Sequence, residues 1–280
     1  MLKYDCLTVG TELHCLTAEI DKTSVGILGE RDSGKELLIP ATLGLIDGVS
    51  GSIYLDNIDL VKSRDLLDRI RWRRISAVFY DPFTMFNPLY DVASHFSEIV
   101  VSHNLGNEEF GIEVGLEYVK LLGLDGTIMS KLPHQLSPLH AKKVAIALAT
   151  FLEPDYILID DIEFGLSDIG RASLINSLID LMGTVRSTFV FLDNNPAILS
   201  RLTDYVIVLF KGRTVEEGYR ILENPLHPYL IDLIRGEIKD TNVLGEGCPY
   251  SSQCRFSTSK CKTEVPWVSL DGRKVRCLGV

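Results

Sequence analysis

Nowhere in the 280 residues does an apolar run approach the ~18 residues needed to cross a bilayer, and the opening Met1-Leu2-Lys3-Tyr4-Asp5 lacks the apolar core of a secretory leader. A membrane role therefore has to come through a partner, and the expected location is cytoplasmic. Cations are scarce too: 28 Lys and Arg stand against 38 Asp and Glu, a net charge of −10. A phosphate backbone needs a basic face, so nucleic acid is excluded as the main ligand. Close C-x2-C pairs, typical of structural zinc sites, are missing, as are internal repeats and low-complexity stretches. What remains is ordinary for a globular protein, 46% hydrophobic and 24% charged, and long enough for one large α/β domain or a domain with appendages.

Near-continuous runs of Val, Ile, Leu and Phe recur at 24–28, 52–55, 75–79, 156–159, 188–192 and 205–209. Strands of that composition are buried on both faces, which predicts a parallel sheet covered by helices. Helical stretches at 34–44 and 141–151 fall between them, so the expected class is α/β. Residues 89–135 carry helical periodicity at 92–101 and 113–122 with few strand signals, and read as a helical insertion between core segments 1–88 and 136–224. From 225 to 280 the chain is turn-rich and holds four of its six cysteines, Cys248, Cys254, Cys261 and Cys277.

The strand at 24–28 runs into Gly29-Glu30-Arg31-Asp32-Ser33-Gly34-Lys35-Glu36, a G-x4-G-K pattern in a strand-to-helix context. Gly29, Ser33 and Gly34 would let backbone amides close around a phosphate, a helix N-terminus would add its dipole, and Lys35 would reach the β- and γ-phosphates. The next residue should carry a hydroxyl for Mg²⁺; here it is Glu36, and Asp32 stands in the loop. Two unit charges ~4 Å apart interact by ~4 kcal/mol at an effective dielectric of ~20, so each carboxylate offsets a benefit of the size Lys35 supplies. Glu36 is also a direct ligand candidate for Mg²⁺, and the two roles have opposite signs.

Further segments follow in order. Val78-Phe79-Tyr80-Asp81-Pro82 through Asn87-Pro88 resembles a Q-loop, and His134-Gln135-Leu136-Ser137-Pro138-Leu139 a signature. Tyr156-Ile157-Leu158-Ile159-Asp160-Asp161 resembles Walker B, and Glu223-Asn224-Pro225-Leu226-His227-Pro228-Tyr229 an E-N-P-x-H-P-Y turn. The tail spacing C-x5-C-x6-C-x15-C completes the series. Together they resemble the ATP-binding subunits of ABC importers of the oligopeptide and dipeptide branch, from about residue 24 to 277. The resemblance implies a P-loop NTPase core with ATP and Mg²⁺ as cofactors. It implies a second ATPase subunit and two transmembrane permease subunits as partners, with an extracytoplasmic substrate-binding protein acting indirectly. The place is peripheral, on the cytoplasmic face of the cell membrane, with 89–135 docked on the permeases.

Carried over residue by residue, the resemblance exposes departures. Tyr80 stands at the Q-loop glutamine. Asp160 takes the Walker B aspartate position and is near Mg²⁺; Asp161 stands where the catalytic glutamate polarises water, one methylene short. A misplacement of ~1 Å can cost ~100-fold in rate. Ser167 occupies the D-loop aspartate position, and Asn194 the switch histidine, where it is unable to act as acid or base. Ser137 is kept, but Pro138 and Leu139 replace the two signature glycines and remove an N–H. Weak or absent hydrolysis is expected, in a heterodimer with a more complete subunit. The rival readings are a dead pseudo-ATPase serving structure and docking, and a soluble ABC protein outside transport.

Four thiolates can hold Zn²⁺ or a [4Fe–4S] cluster. Some members of the resembled branch carry iron–sulfur here, so Cys248, Cys254, Cys261 and Cys277 are expected to ligate [4Fe–4S], with zinc or free thiols as alternatives. Cys6 and Cys15 are expected as small buried apolar residues. His103, His134 and His140 carry no assigned chemistry, and His227 is expected to be structural.

Overall fold

The computed structural model describes residues 1–21, 24–238, 247–263 and 265–279. The chain divides into two compact units: Met1–Arg64 with Phe191–Val280, and Asp65–Val190. The expected extension 225–280 belongs to the first, with residues 239–246, 264 and 280 outside the described set. Among the described residues, no helix is long and apolar enough to cross a membrane.

Unit one opens with β1 (Leu2–Val9) and β2 (Leu13–Ile20), followed by β3 (Ser24–Leu28), α1 (Leu38–Thr42), β4 (Val49–Leu55) and β5 (Ile58–Asp59). Strands order as β2-β1-β4-β5 in an antiparallel sheet. The run at 52–55 thus lies in an antiparallel sheet, against the expectation of a parallel one. The inward residues explain an irregularity. In β1 they are Leu2, Tyr4, Leu7 and Val9, and in β2 Leu13, Leu16, Ala18 and Ile20. Each strand breaks its two-residue period once, so each must bulge. Cys6 and Cys15 sit at the two bulges, at φ 47° and 48°. Their N–H groups donate to Thr17 Oγ1 (3.1 Å) and Thr8 Oγ1 (2.9 Å). Both are exposed, and they form a disulfide. The expected buried apolar role is wrong, because the bulges turn both side chains away from the core.

Unit two holds α2 (Leu67–Ile70), β6 (Ile75–Val78), α3 (Val92–Ser102), α4 (Glu108–Leu121), α5 (Pro138–Thr150), β7 (Tyr156–Asp160) and α6 (Asp168–Met182). β6 and β7 pair in parallel, and all their residues except Asp160 are buried, as continuous apolar strands require. Residues 89–135 hold α3, α4 and two 3-10 turns. α3 and α4 are capped by Asp91 and Asn107, whose side chains accept from Ser94 N and Phe110 N. Phe96 of α3 packs edge-on against Phe151 at 5.0 Å.

β8 (Thr188–Asp193) carries the chain back into unit one, which ends with α7 (Pro196–Leu202), β9 (Tyr205–Phe210), β10 (Arg213–Tyr219), α8 (Pro228–Arg235), β11 (Val268–Leu270) and β12 (Arg273–Val275). β3 and β9 are parallel, whereas β9, β10, β12 and β11 follow one another antiparallel. The sheet is therefore mixed: the hairpins after β9 supply strands that need no crossover.

Candidate functional site

The phosphate-loop residues lie together in unit one. β3 ends at Leu28, and Gly29 N donates to Asp193 O at 3.2 Å. Gly34 adopts φ 89°, and a Cβ there would meet Glu12 O of the β1–β2 turn at 2.6 Å, so only glycine fits. The expected helix over 34–44 is broken into a 3-10 turn, Lys35–Leu37, and the short α1. Pro40 is the reason. A helix starting at Gly34 would need an N–H from its interior at Pro40, whereas a start at Leu38 places Pro40 in the first turn, where none is required.

The loop's anion-binding groups face inward upon one of its own side chains. Glu36 Oε1 accepts from Asp32 N (3.1 Å) and from Lys35 Nζ (2.8 Å), and Glu36 Oε2 from Gly34 N (3.2 Å). Lys35, only 4% exposed, also donates to Glu30 O at 3.1 Å. Two backbone amides and the ammonium thus converge on one carboxylate, the arrangement that an anion nest offers a phosphate. As it stands, the Asp32 and Gly34 amides and the Lys35 ammonium are engaged by this carboxylate. Ser33 Oγ is buried without a hydrogen-bond partner. Asn194 lines a cavity of about 590 Å³ together with Glu30, Arg31, Asp32 and Ser33, so the structure brings the switch position to the loop.

The remaining motif residues lie in unit two. Asp160 ends β7, and Asp161 follows in the left-handed region, φ 43°, with Oδ1 buried and unpartnered. Tyr80 is 48% exposed and packs edge-on against Phe164, ring centroids 4.4 Å apart. Ser137 caps α5, accepting from His140 N at 3.2 Å, and Pro138 fills the first helical position. Pro138 is thus a good helix starter in a place where the resemblance calls for glycine. Ser167 likewise caps α6, accepting from Gly170 N at 3.3 Å. In that turn Arg171 is ion-paired with Glu163 and Asp168.

Sequence reasoning missed Lys142. It is fully buried, and its Nζ donates to Tyr80 O and Asp161 O, both at 2.8 Å. Lys143 is nearly as buried and donates to Leu122 O (2.8 Å) and Ser177 Oγ (3.0 Å), with burial pushing its pKa down. The signal was present: a Lys-Lys pair inside a helix otherwise made of Ala, Val, Ile and Leu has to be satisfied in the core.

The structure gives no support to the metal centre expected of the cysteine tail. Cys248, Cys254, Cys261 and Cys277 line one cavity of about 20 Å³. That is room for about one water. Burial raises the Cys248 thiol to about 11 and raises Cys254 and Cys277 as well. Among the described residues, no group of three or more His, Cys, Asp or Glu is placed to hold a metal ion. Next to this cavity, His227 caps α8, its Nδ1 accepting from Tyr229 N (3.1 Å), and burial lowers its pKa to about 4. Its N–H and that of Leu226 donate to the buried Glu216 carboxylate at 2.8 and 3.2 Å.

Comparison with known proteins agrees with this geometry. The sequence pattern of the ABC transporter family matches residues 17–162. The di/tripeptide transport ATP-binding protein DppF of Pseudomonas aeruginosa (strain UCBPP-PA14) is 28% identical over 92% of this chain and 86% of its own length. The oligopeptide transport ATP-binding protein AppD of Bacillus subtilis (strain 168) is 26% identical over 96% and 89%. A solved dimeric bacterial ABC transporter cassette, MJ0796, superposes with a TM-score of 0.69 at 25% identity, covering 78% of this chain and 98% of that one. With the family pattern spanning more than half of its residues and its P-loop α/β fold shared with solved cassettes, the chain belongs to the ABC transporter family.

Proposed function

We propose that this chain is the ATPase-fold subunit of a peptide-class ABC importer whose own nucleotide site has fallen silent, paired with a second, more complete ATPase subunit that supplies the turnover. The observation that carries the reading is the carboxylate of Glu36 lodged among Asp32 N–H, Gly34 N–H and the Lys35 ammonium. ATP and Mg²⁺ are the ligands of the family, and Gly29, Ser33, Gly34, Lys35 and Asp160 are the residues left to hold them. Glu36 must leave the nest before a phosphate enters. Tyr80, Asp161 and Asn194 supply neither the Q-loop amide, the glutamate nor the switch imidazole that hydrolysis in the resembled branch uses. The peptide class rests on relatives named for di-, tri- and oligopeptide transport.

The role left to such a subunit is to dock and to close against its partner. Leu89, Tyr90 and Phe110, 82%, 42% and 46% exposed, give the 89–135 insertion an apolar surface suited to a permease subunit at the cytoplasmic face of the membrane. The tail joins this reading as a thiol-lined structural extension.

The test is equilibrium binding of ATP–Mg²⁺ to the purified chain and to Glu36→Ser. Weak or absent binding by the natural chain, rising about tenfold or more in Glu36→Ser, is expected from removal of a competing anion and restoration of a hydroxyl. Micromolar binding by the natural chain, unchanged in Glu36→Ser, would sink the self-occupied loop and restore an ATP-holding subunit.

A further inference from the structure

The disulfide Cys6–Cys15 stands in unit one, and the function above makes no use of it. The β1–β2 ladder is interrupted on both sides of the Leu7–Leu16 pair. In those interruptions the Cys6 and Cys15 amides donate to Thr17 Oγ1 and Thr8 Oγ1, not to carbonyls of the facing strand. The disulfide thus spans the hairpin where backbone pairing is thinnest. Behind Cys6 the backbone is close-packed: a Cβ on Gly51 of β4 would meet Cys6 O at 2.3 Å. β2, which carries Cys15, is the edge strand of its sheet, with β1 as its ladder neighbour. The bond is therefore a covalent tie of an edge strand to the sheet, and both cysteines are exposed to an attacking thiolate.

Beyond the disulfide lie the turn at 10–12 and the start of β2. Glu12 O of that turn would come within 2.6 Å of a Cβ on Gly34 and within 2.2 Å of one on Gly212. His14 N donates to Gly212 O at 2.8 Å, and Gly212 N to Ser33 O at 2.9 Å. The hairpin tip thus bears on the phosphate loop at Ser33 and Gly34, by close contact and by two hydrogen bonds in series. Gly34 N is also one of the amides on Glu36. We propose that the Cys6–Cys15 bond is a reversible redox modification site, opened by dithiol reductants, whose state sets how firmly the phosphate loop is held. A thiolate of the reductant attacks one sulfur, a mixed disulfide forms, and the reductant's second thiol resolves it. The chain ends with two thiols, having gained two electrons and two protons, and the reductant ends as its own disulfide. The ring that opens is short, a sequence separation of 9, so the hairpin tip loosens without unfolding the unit. On the cytoplasmic placement proposed above, thiol reductants surround the chain, and a disulfide there is of the transient, sensing kind. Only that cellular setting rests on the proposed function; the coupling to the loop rests on the contacts within unit one.

The experiment is hydrogen–deuterium exchange of the full chain before and after dithiothreitol, without denaturant, with thiols counted by alkylation after the quench. Four of the six cysteines are free, so reduction is expected to add two labelled thiols, Cys6 and Cys15. Residues 9–16 and 29–36 are expected to exchange about threefold or more faster once reduced, with 156–160 of β7 unchanged, and oxidised glutathione is expected to restore the first rate. Cys6→Ser with Cys15→Ser is expected to exchange like the reduced chain and to ignore the reductant. The reductant arm stands even where that variant fails to fold. Loop exchange is read without ATP, so its outcome is separate from that of the nucleotide reading of Glu36. A bond that opens only in denaturant, or that oxidised glutathione fails to close, overturns the proposal. So does loop exchange unchanged by reduction, or a double Ser variant that still responds to dithiothreitol, which assigns the response to the thiols of the tail.

Discussion

Each unit buries a lysine beside its motif residues, and the two are used differently. Lys35, in unit one, meets the side chain of Glu36, which is 40% exposed. That contact joins two side chains at a wetted rim and opens by a rotamer change, leaving the backbone where it is. Lys142, in unit two, is sealed from water and holds the backbone carbonyls of Tyr80 and Asp161. It ties the segment after β6 to the segment after β7, and it has no way out without breaking both. On the function proposed above, the first contact is a plug in the phosphate loop, and the second is a fixed tie between two motif segments.

The largest expected effect comes from breaking the tie. Lys142→Met keeps the volume but strands two carbonyls, each stranded acceptor costing about 1–3 kcal/mol, so a loss of about 2–6 kcal/mol is expected in urea unfolding. Lys35→Met should cost far less, because Glu36 turns out to water. Equal losses from the two would erase the contrast between them. The next effect lies behind the loop. The Cys6–Cys15 disulfide, bridging a sequence separation of 9, clamps the hairpin whose Glu12 carbonyl fits against Gly34 and Gly212. Cys6→Ser with Cys15→Ser should lower stability by about 1–3 kcal/mol, read as a fall in Tm that reductant reproduces in the natural chain. An unchanged Tm in both would show that the hairpin holds without the bond. Smaller again is the plug itself: Glu36→Ser should tighten ATP by about tenfold, ~1.4 kcal/mol, with little change in Tm. A large stability change with no gain in affinity would make Glu36 structural.

The contrast also marks what could be read before the structure was known. The core strands were legible because β3, β6, β7, β8 and β9 are continuous apolar runs. β1 and β2 escaped because one bulge in each breaks the alternation that identifies a half-buried strand, and β10 because Glu216 and Glu217 are buried in it. At the site, residue identity exposed Glu36 as misplaced but left two opposite roles open, and the distances from its carboxylate to Asp32 N and Gly34 N are what support the competing-anion role proposed above. Asn194 was proposed by counting along the chain, and it lines one cavity with Asp32 and Ser33. Lys142 was missed because its partners are carbonyls from two segments far apart in sequence, Tyr80 and Asp161, and carbonyls leave no mark on composition. The metal expectation finds no support among the described residues, and spacing alone says only which thiols are near in sequence.

The smallest effect is the most discriminating. Asp161 stands where the resembled branch carries its catalytic glutamate, and the obvious repair is Asp161→Glu. The position has φ 43°, a conformation that Asp and Asn tolerate better than Glu. Its carbonyl is fixed by Lys142, and Oδ1 is already buried without a partner. A longer carboxylate there has to leave the buried position or strain the backbone, at a cost of about 1 kcal/mol. Asp161→Glu is therefore expected to be slightly less stable and no more active, even combined with Glu36→Ser and assembled with its partner. Phosphate release by that double variant, above the Glu36→Ser background, would mean that unit two too is only plugged. No release, alongside tightened ATP binding, would separate the two: binding would be one side chain away, whereas hydrolysis would need more than a longer carboxylate beside the carbonyl that Lys142 holds.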